Sequence, residues 1–375
     1  MRKSIAIIIT SILVLSGCNK QQSVSDRLLN EVEKAIAINP DSASNLLKSI
    51  SSPEKLDDKA FARWCMLSGK ITDEIFNSIL PTYQLERAYD WYSSHGSPDE
   101  QVQILIYLGR SYFADGDYDK AMSIYTNALD IAEKNKLNNL TGYTYSYIGD
   151  LYGEKFMRTE AIKRYKAAAE CFKKENNTDS YACALRDVGR EYACIDSLSR
   201  ALKILTIADS VARNTKNIEV TASIDNALGN IYAMQNKYDK AEEYFLKALV
   251  GRETMPDYMA LIDLYIASGA INKAQELLSK ILQDNPKYTY SIKYLYYQIY
   301  NEEKNYKEAL TNLKEYVEIT DSIIYADNQS KILNIESKYN HLKISKEVDR
   351  LKIKQQSYII VLVICIGILL LIIIG

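Results

Sequence analysis

A five-residue pattern occurs four times at a fixed step of 40 residues, and this repetition narrows the folds open to the chain more than any other feature. Leu108-Gly109-Arg110-Ser111-Tyr112 is echoed by Ile148-Gly149-Asp150-Leu151-Tyr152, by Val188-Gly189-Arg190-Glu191-Tyr192 and by Leu228-Gly229-Asn230-Ile231-Tyr232. Twelve residues after each glycine stands an alanine: Ala121, Ala161, Ala201 and Ala241. Four further on comes a bulky apolar residue (Tyr125, Tyr165, Leu205, Phe245), and three beyond that another alanine (Ala128, Ala168, Ala208, Ala248). Glycine and tyrosine three apart share one face of a helix, as do alanine, bulky residue and alanine at steps of four and three. Each unit therefore predicts two helices, with small residues where they cross and large ones filling the gaps. Asp115-Gly116-Asp117-Tyr118 and Gln235-Asn236-Lys237-Tyr238 carry turn formers between the two helices. A single pair cannot bury its apolar face, whereas stacked neighbours can, so the period implies a solenoid and directs attention to a partner rather than a reaction.

The pattern resembles the tetratricopeptide repeat, in which a small residue after leucine, then tyrosine, alanine and an aromatic recur every 34 residues or so. Leu108, Gly109, Tyr112, Ala121, Tyr125 and Ala128 follow it closely; the longer step implies longer helices or longer inter-repeat loops. Two later units return to a shorter step, one with Leu261, Tyr265, Gly269, Ala274 and Leu278, the next with Tyr297, Tyr300, Ala309, Leu313 and Tyr316. Residues 35–50 and 60–92 carry the same texture with degraded signatures. The expected fold is all-α: a right-handed α-solenoid over 25–320, a helical or coiled-coil stalk over 321–356, and one transmembrane helix over 357–375. Most of the 30 tyrosines fall at helix-packing positions and are expected in the core, not on a nucleic-acid stacking platform.

The resemblance also implies a groove lined by the first helix of each pair. Transferred onto this sequence, the groove positions are Gln103, Ile106, Arg110 and Phe113, then Tyr143, Ser146, Asp150 and Glu154. They continue with Cys183, Arg186, Arg190 and Cys194, and end with Ser223, Asn226, Asn230 and Met234. The partner-binding candidates among them are Arg110, Tyr143, Asp150, Glu154, Arg186, Arg190, Asn226 and Asn230. Arg186 and Arg190 lie one turn apart, with the acids at Asp187 and Glu191 read as facing elsewhere; this predicts a partner with an acidic or carboxylate-terminated segment. Asn226 and Asn230 are expected to pair with a peptide backbone.

Both ends of the chain carry membrane signals. Met1-Arg2-Lys3 is a positive start and Ser4–Val14 a short apolar run. The following Leu15-Ser16-Gly17-Cys18 resembles a bacterial lipobox, which implies a signal peptide over 1–17, a lipid-bearing Cys18 and a linker over 18–24; an ordinary signal peptide with a chance cysteine is the alternative. Near the C-terminus an uncharged run begins at Tyr358, long enough at about 1.5 Å per residue to just span the hydrocarbon core. It stops at Gly375 without a polar flank, which predicts a fragment of a longer protein or a truncated product. Ile332, Ile335, Tyr339, Leu342, Val348 and Leu351 form a seam that fits either a coiled coil, and hence a homodimer through the stalk, or a helix lying on the last repeat. The basic flank Lys343, Lys346, Arg350, Lys352 and Lys354 argues for a cytoplasmic stalk, the lipobox for export. Long domains translocate largely regardless of charge, so a periplasm-facing domain in a bacterial envelope is expected.

Composition excludes several classes. A net charge of −2 leaves no basic footprint for nucleic acid. His95 and His341 have no nucleophile or metal ligand at motif spacing, and no phosphate loop, HExxH or GxSxG is present. No enzyme, cofactor or metal is therefore expected. With no CxxC spacing, Cys65, Cys171, Cys183 and Cys194 read as free thiols, with a Cys171–Cys183 disulfide as the alternative. Two functions fit: a membrane-anchored interaction module, the sensory or scaffold part of a signalling protein, or an accessory lipoprotein of envelope assembly or nutrient uptake.

Overall fold

The computed structural model describes residues 26–75, 79–284, 289–325, 350–351, 353–354 and 357–358. Cys18, the signal peptide, most of the stalk and nearly all of the expected span lie outside the described residues. Among those described, no helix is long and apolar enough to cross a membrane.

The described residues are helical throughout, with two compact units that divide between Asn285 and Pro286. The first unit holds α1 (26–36), α2 (Pro40–Lys48), a 3₁₀ turn (Pro53–Lys55), α3 (Asp58–Ile75) and α4 (Thr82–His95). It continues with α5 (Pro98–Ala114), α6 (Tyr118–Lys134), α7 (Asn138–Glu154), α8 (Arg158–Lys174) and α9 (Thr178–Cys194). Then follow α10 (Leu198–Ala212), α11 (Ile218–Met234), α12 (Tyr238–Gly251), α13 (Met255–Ala267) and α14 (Ile271–Asp284). In the second unit, α15 (Thr289–Glu302) and α16 (306–325) enclose Ile292, Leu295, Ile299 and Ala309, with Lys293 and Glu315 paired at 2.6 Å.

The 40-residue step comes from the helices, not from long loops. From α5 to α9 every helix is 17 residues long and the turns 115–117, 135–137, 155–157 and 175–177 are three each, so two helices and two turns complete one step. The shorter α12, α13 and α14 account for the shorter step of the later unit.

Each turn closes the same way. Its middle residue is left-handed: Gly116 (φ 77°), Phe156 (59°), Asp196 (57°), Asn236 (57°) and Gly269 (76°). The next N–H bonds back to the carbonyl of the signature tyrosine, as from Asp117 to Tyr112, Met157 to Tyr152, Ser197 to Tyr192 and Lys237 to Tyr232, all at 2.8–2.9 Å. This satisfies a carbonyl that the helix end would otherwise orphan. Entry to α5 is capped by Ser97, whose side chain and Glu100 form a capping box, and entry to α9 and α11 by the Asn177 and Asn217 carboxamides.

The repeated glycine has one role in every pair: it admits the bulky residue 16 positions on. A Cβ on Gly109 would lie 2.3 Å from Tyr125, on Gly149 2.7 Å from Tyr165, on Gly189 2.6 Å from Leu205, and on Gly229 2.7 Å from Phe245. Those four partners are buried, and Ala121, Ala128, Ala161, Ala168, Ala201, Ala208, Ala241 and Ala248 are fully buried beside them. Consecutive helices pack antiparallel within and between pairs, and odd-numbered helices also touch one another, α3 with α5, α5 with α7, α9 with α11 and α11 with α13. The odd helices thus form one face of the first unit.

A candidate partner-binding groove

Along the odd-helix face lie three hollows, and each of the eight candidate residues lines at least one. The first, about 710 Å³, holds Asp73, Gln103, Ile106, Tyr107, Arg110, Tyr143 and Tyr147. The second, about 520 Å³, holds Phe113, Ser146, Asp150, Glu154, Phe156, Arg158, Arg186, Asp187 and Arg190. The third, about 460 Å³, shares Arg186 and Arg190 with the second and adds Cys194, Ser223, Asn226, Asn230, Met234, Arg252 and Asp257.

In the first hollow Arg110 is not free. It is ion-paired to Asp73 and lies 5.5 Å from the Tyr147 ring and 6.0 Å from the Tyr107 ring. The Tyr107 hydroxyl donates to the same Asp73 at 2.9 Å. Tyr143 packs edge-on against Phe172 at 4.9 Å, and its hydroxyl meets Ser180 Oγ at 2.9 Å, close to the α9 N-cap.

In the second hollow the Tyr165 hydroxyl, rising from the core of its pair, donates to Asp150 Oδ1 at 2.7 Å. Asp150 keeps an open side toward solvent, but the concave wall surrounds it with protein. That crowding removes water and pushes its carboxyl up to about 6 from an ordinary 3.8; Asp187 adds to the rise, while the Tyr165 bond, Arg186 and Arg190 oppose it. Glu154, one turn along, is exposed and accepts from the Tyr118 hydroxyl at 3.5 Å.

The expectation that Arg186 and Arg190 lack an acid is overturned here. Arg186 Nε and Nη2 donate to the two oxygens of Asp187 at 2.9 and 3.1 Å, and its Nη1 donates to Ser223 Oγ on α11 at 3.0 Å. Arg190 Nη1 reaches the same carboxylate at 3.8 Å. Asp187 adjoins Arg186 in sequence but precedes Arg190 by three, so it serves both guanidiniums on one face. The basis for expecting an acidic partner at this point is thereby removed. Arg186 is a bridge between helices, and Arg190, with a side chain 65% exposed, is the more available of the two.

The asparagines differ from expectation in the same way. Asn226 Nδ2 donates to Asp257 Oδ1 at 2.8 Å, and Asp257 is fully buried, held also by Thr254 and by Arg252 at 3.0 Å. The Asn230 amide donates to Asn226 Oδ1 at 2.9 Å and to its backbone oxygen at 3.0 Å. The Asn230 side-chain oxygen is the group these bonds leave most open to a partner.

Sequence reasoning missed Asp73, the pair of Arg158 with nearly buried Glu191 at 3.3 Å, and Phe156. Each of the first two joins residues more than 30 positions apart, beyond the reach of local spacing. Phe156 was discoverable, because the 40-residue step puts it in the slot of Gly116, Asp196 and Asn236. The four described cysteines outside the signal region are all free, with Cys65 buried, Cys171 and Cys183 half-buried and Cys194 exposed. His95 stacks on Trp91 at 5.0 Å, and among the described residues no group of three or more His, Cys, Asp or Glu is placed to hold a metal ion.

Similarity to known proteins matches this architecture. Residues 100–174 and 221–255 match tetratricopeptide repeat families. No curated protein sequence matches. Among solved structures, a Rap protein complexed with competence and sporulation factor is 18% identical, covering 80% of this chain and 86% of that one with a TM-score of 0.60. Aspartyl phosphate phosphatase F from Bacillus subtilis is 16% identical over 74% of this chain and 75% of its own, with a TM-score of 0.54. A tetratricopeptide repeat protein from Parabacteroides merdae is 16% identical over 72% of this chain and 99% of its own, with a TM-score of 0.50. At these identities the likeness is one of fold. The α5–α8 pairs and the α11–α12 pair of this chain are tetratricopeptide repeats, set in an all-helical solenoid of similar pairs.

Proposed function

We propose that the chain is a protein-interaction module whose odd-helix face docks an extended segment of a protein partner. One observation carries this reading: three hollows, two of them sharing Arg186 and Arg190, lie along that face, and exposed polar side chains without a packing role, Arg190, Asn230 and Glu154 among them, line them. A fold neighbour solved in complex with competence and sporulation factor supports a binding role for this architecture. The reading extends to a right-handed superhelix held at a bacterial envelope by lipid on Cys18 and the apolar C-terminal run. There it would face the periplasm as the sensory or scaffold part of a signalling protein.

The docking claim is tested by photo-crosslinking in cells. A crosslinking residue at Arg190 or Asn230 is expected to capture discrete protein partners, and one at exposed Val250 on α12 is not. Equal capture at Val250 would refute the assignment of the face. For the anchor, Cys18→Ser is expected to abolish labelling by a fatty-acid probe and to accumulate precursor; normal maturation of the variant would overturn it.

A further inference from the structure

The wall charges of the second hollow do not cancel. Arg158 is paired with Glu191, while Arg186 and the more exposed Arg190 share the single carboxylate of Asp187. Asp150 and Glu154, one turn apart on α7, receive no ion pair among the described residues; their hydrogen bonds come from neutral phenols, Tyr165 and Tyr118. Lys155, next to Glu154 in sequence, lies instead over the Tyr118 ring at 3.9 Å. The four acids of the wall exceed its three arginines by one, and Asp150 and Glu154 are the two that stand outside an ion pair, in a hollow of about 520 Å³, within the range of about 300–1,000 Å³ common for ligand sites.

Phe156 stands at the mouth of the same hollow. It is 80% exposed and left-handed at φ 59°, a conformation that bulky residues rarely adopt. The turn itself does not require an aromatic, since glycine, aspartate and asparagine fill the equivalent slots. The Arg158 guanidinium lies over the ring at 5.0 Å while its ion pair reaches across to α9. The ring is thereby held beside the carboxylates.

We infer that this hollow takes one basic side chain, lysine or arginine, of an extended partner segment, whose neighbouring apolar side chain lies against Phe156. The inference rests on the docking reading of the odd-helix face and narrows its partner. A cation there meets the protein-crowded carboxylate of Asp150 and the exposed one of Glu154, and can donate charge-assisted hydrogen bonds to both. An acidic side chain would meet the same two charges with repulsion. The exposed aromatic supplies a rigid apolar contact next to that charge. A bound cation also favours ionised Asp150 over its protonated form, against Asp187 across the hollow and with Arg186 and Arg190 as competitors.

The test uses the full chain in detergent and fluorescein-labelled nonapeptides on an alanine-glycine host with a central Phe-Lys, Phe-Arg, Phe-Glu or Phe-Ala. By anisotropy the Lys and Arg peptides are expected to bind at least about tenfold more tightly than the Glu peptide. In Asp150→Asn/Glu154→Gln that preference is expected to vanish with the melting midpoint retained, and in Phe156→Asn all four peptides are expected to weaken together. The Lys preference is expected to grow as pH rises through about 6, as Asp150 ionises. Equal binding of the Glu or Ala peptide, a Lys preference that survives the double variant, or no binding by any peptide would each overturn the inference. Crosslinking at Arg190 and Asn230 judges the docking face separately, so failure of the peptides leaves that result standing on its own.

Discussion

Two glycines on α7, four residues apart, separate packing from helix propensity. Both are buried and both gain the same backbone preference on substitution by alanine, about 1 kcal/mol. A Cβ on Gly149 would lie 2.7–2.9 Å from three carbons of the Tyr165 ring, where ordinary carbon contacts begin at about 3.5 Å. That ring is 5% exposed and tethered through its hydroxyl to Asp150, so it has little room to retreat. A Cβ on Gly153 meets only the far ends of side chains, Glu191 Oε1 at 3.3 Å, Arg158 Nη1 at 3.7 Å and Tyr165 Oη at 4.0 Å. The propensity gain cancels in the comparison, which leaves the overpacking cost of about 1–3 kcal/mol. Gly149→Ala is therefore expected to fall below Gly153→Ala in stability by that amount, with Gly153→Ala at or above the parent. Stacked repeats need not unfold as one unit. The measurement should accordingly pair urea unfolding with hydrogen exchange of the α7 and α8 amides, where the loss is expected to concentrate. Equal midpoints for the two variants, or protection lost equally in distant pairs, would refute the register in which each glycine receives the residue 16 positions on.

Three further outcomes follow from the hollows and turns. Phe156→Asn is expected to stabilise the fold by about 0.5–1 kcal/mol in thermal melts, because asparagine tolerates the left-handed turn; destabilisation would show that the ring has a packing role. Arg186→Ala is expected to cost about 1–3 kcal/mol, since it removes the bridge to Ser223 and leaves Asp187 to Arg190 alone. Arg190→Ala is expected to change stability by less than about 0.5 kcal/mol, and equal effects of the two would undo the distinction. Because the folded carboxyl of Asp150 sits above its ordinary value, it favours folding most below about pH 4 and loses that contribution as pH rises through about 6. Asp150→Asn is expected to flatten the stability profile between those limits, and an unchanged profile in urea titrations would contradict the crowding of that side chain.

The helix pairs were legible because the residues that pack them are also the ones that repeat. Gly149 and Tyr165 announce one contact at a spacing of 16, and the same spacing recurs at Gly109, Gly189 and Gly229. The resemblance to the tetratricopeptide repeat, counted out from those glycines, then carried Arg110, Tyr143, Asp150, Glu154, Arg186, Arg190, Asn226 and Asn230 onto the odd-helix face. What those groups do there was not legible. Whether Arg186 is spare or spent depends on its rotamer toward Asp187 and on Ser223 of the next pair, 37 residues away. Asn226 is likewise claimed by Asp257, a residue that carries no repeat signature. A periodic pattern reports the surface every unit shares, whereas partners across units are particular to each junction.

Tyr165 has one end in each compartment of the molecule. Its ring fills the space over Gly149 inside the α7–α8 pair, and its hydroxyl holds a carboxylate on the open face. Anything that changes the charge of Asp150 therefore alters a polar tether on a ring that two helices share. By linkage, a ligand that prefers the ionised carboxylate must shift the opening equilibrium of that pair, and loosening the pair must shift the ligand's affinity by the same factor. In an array whose units are stabilised by their neighbours, such a shift does not stop at one pair. Occupancy of the face and cooperativity of the array are thus two readings of one equilibrium, joined at a single phenol.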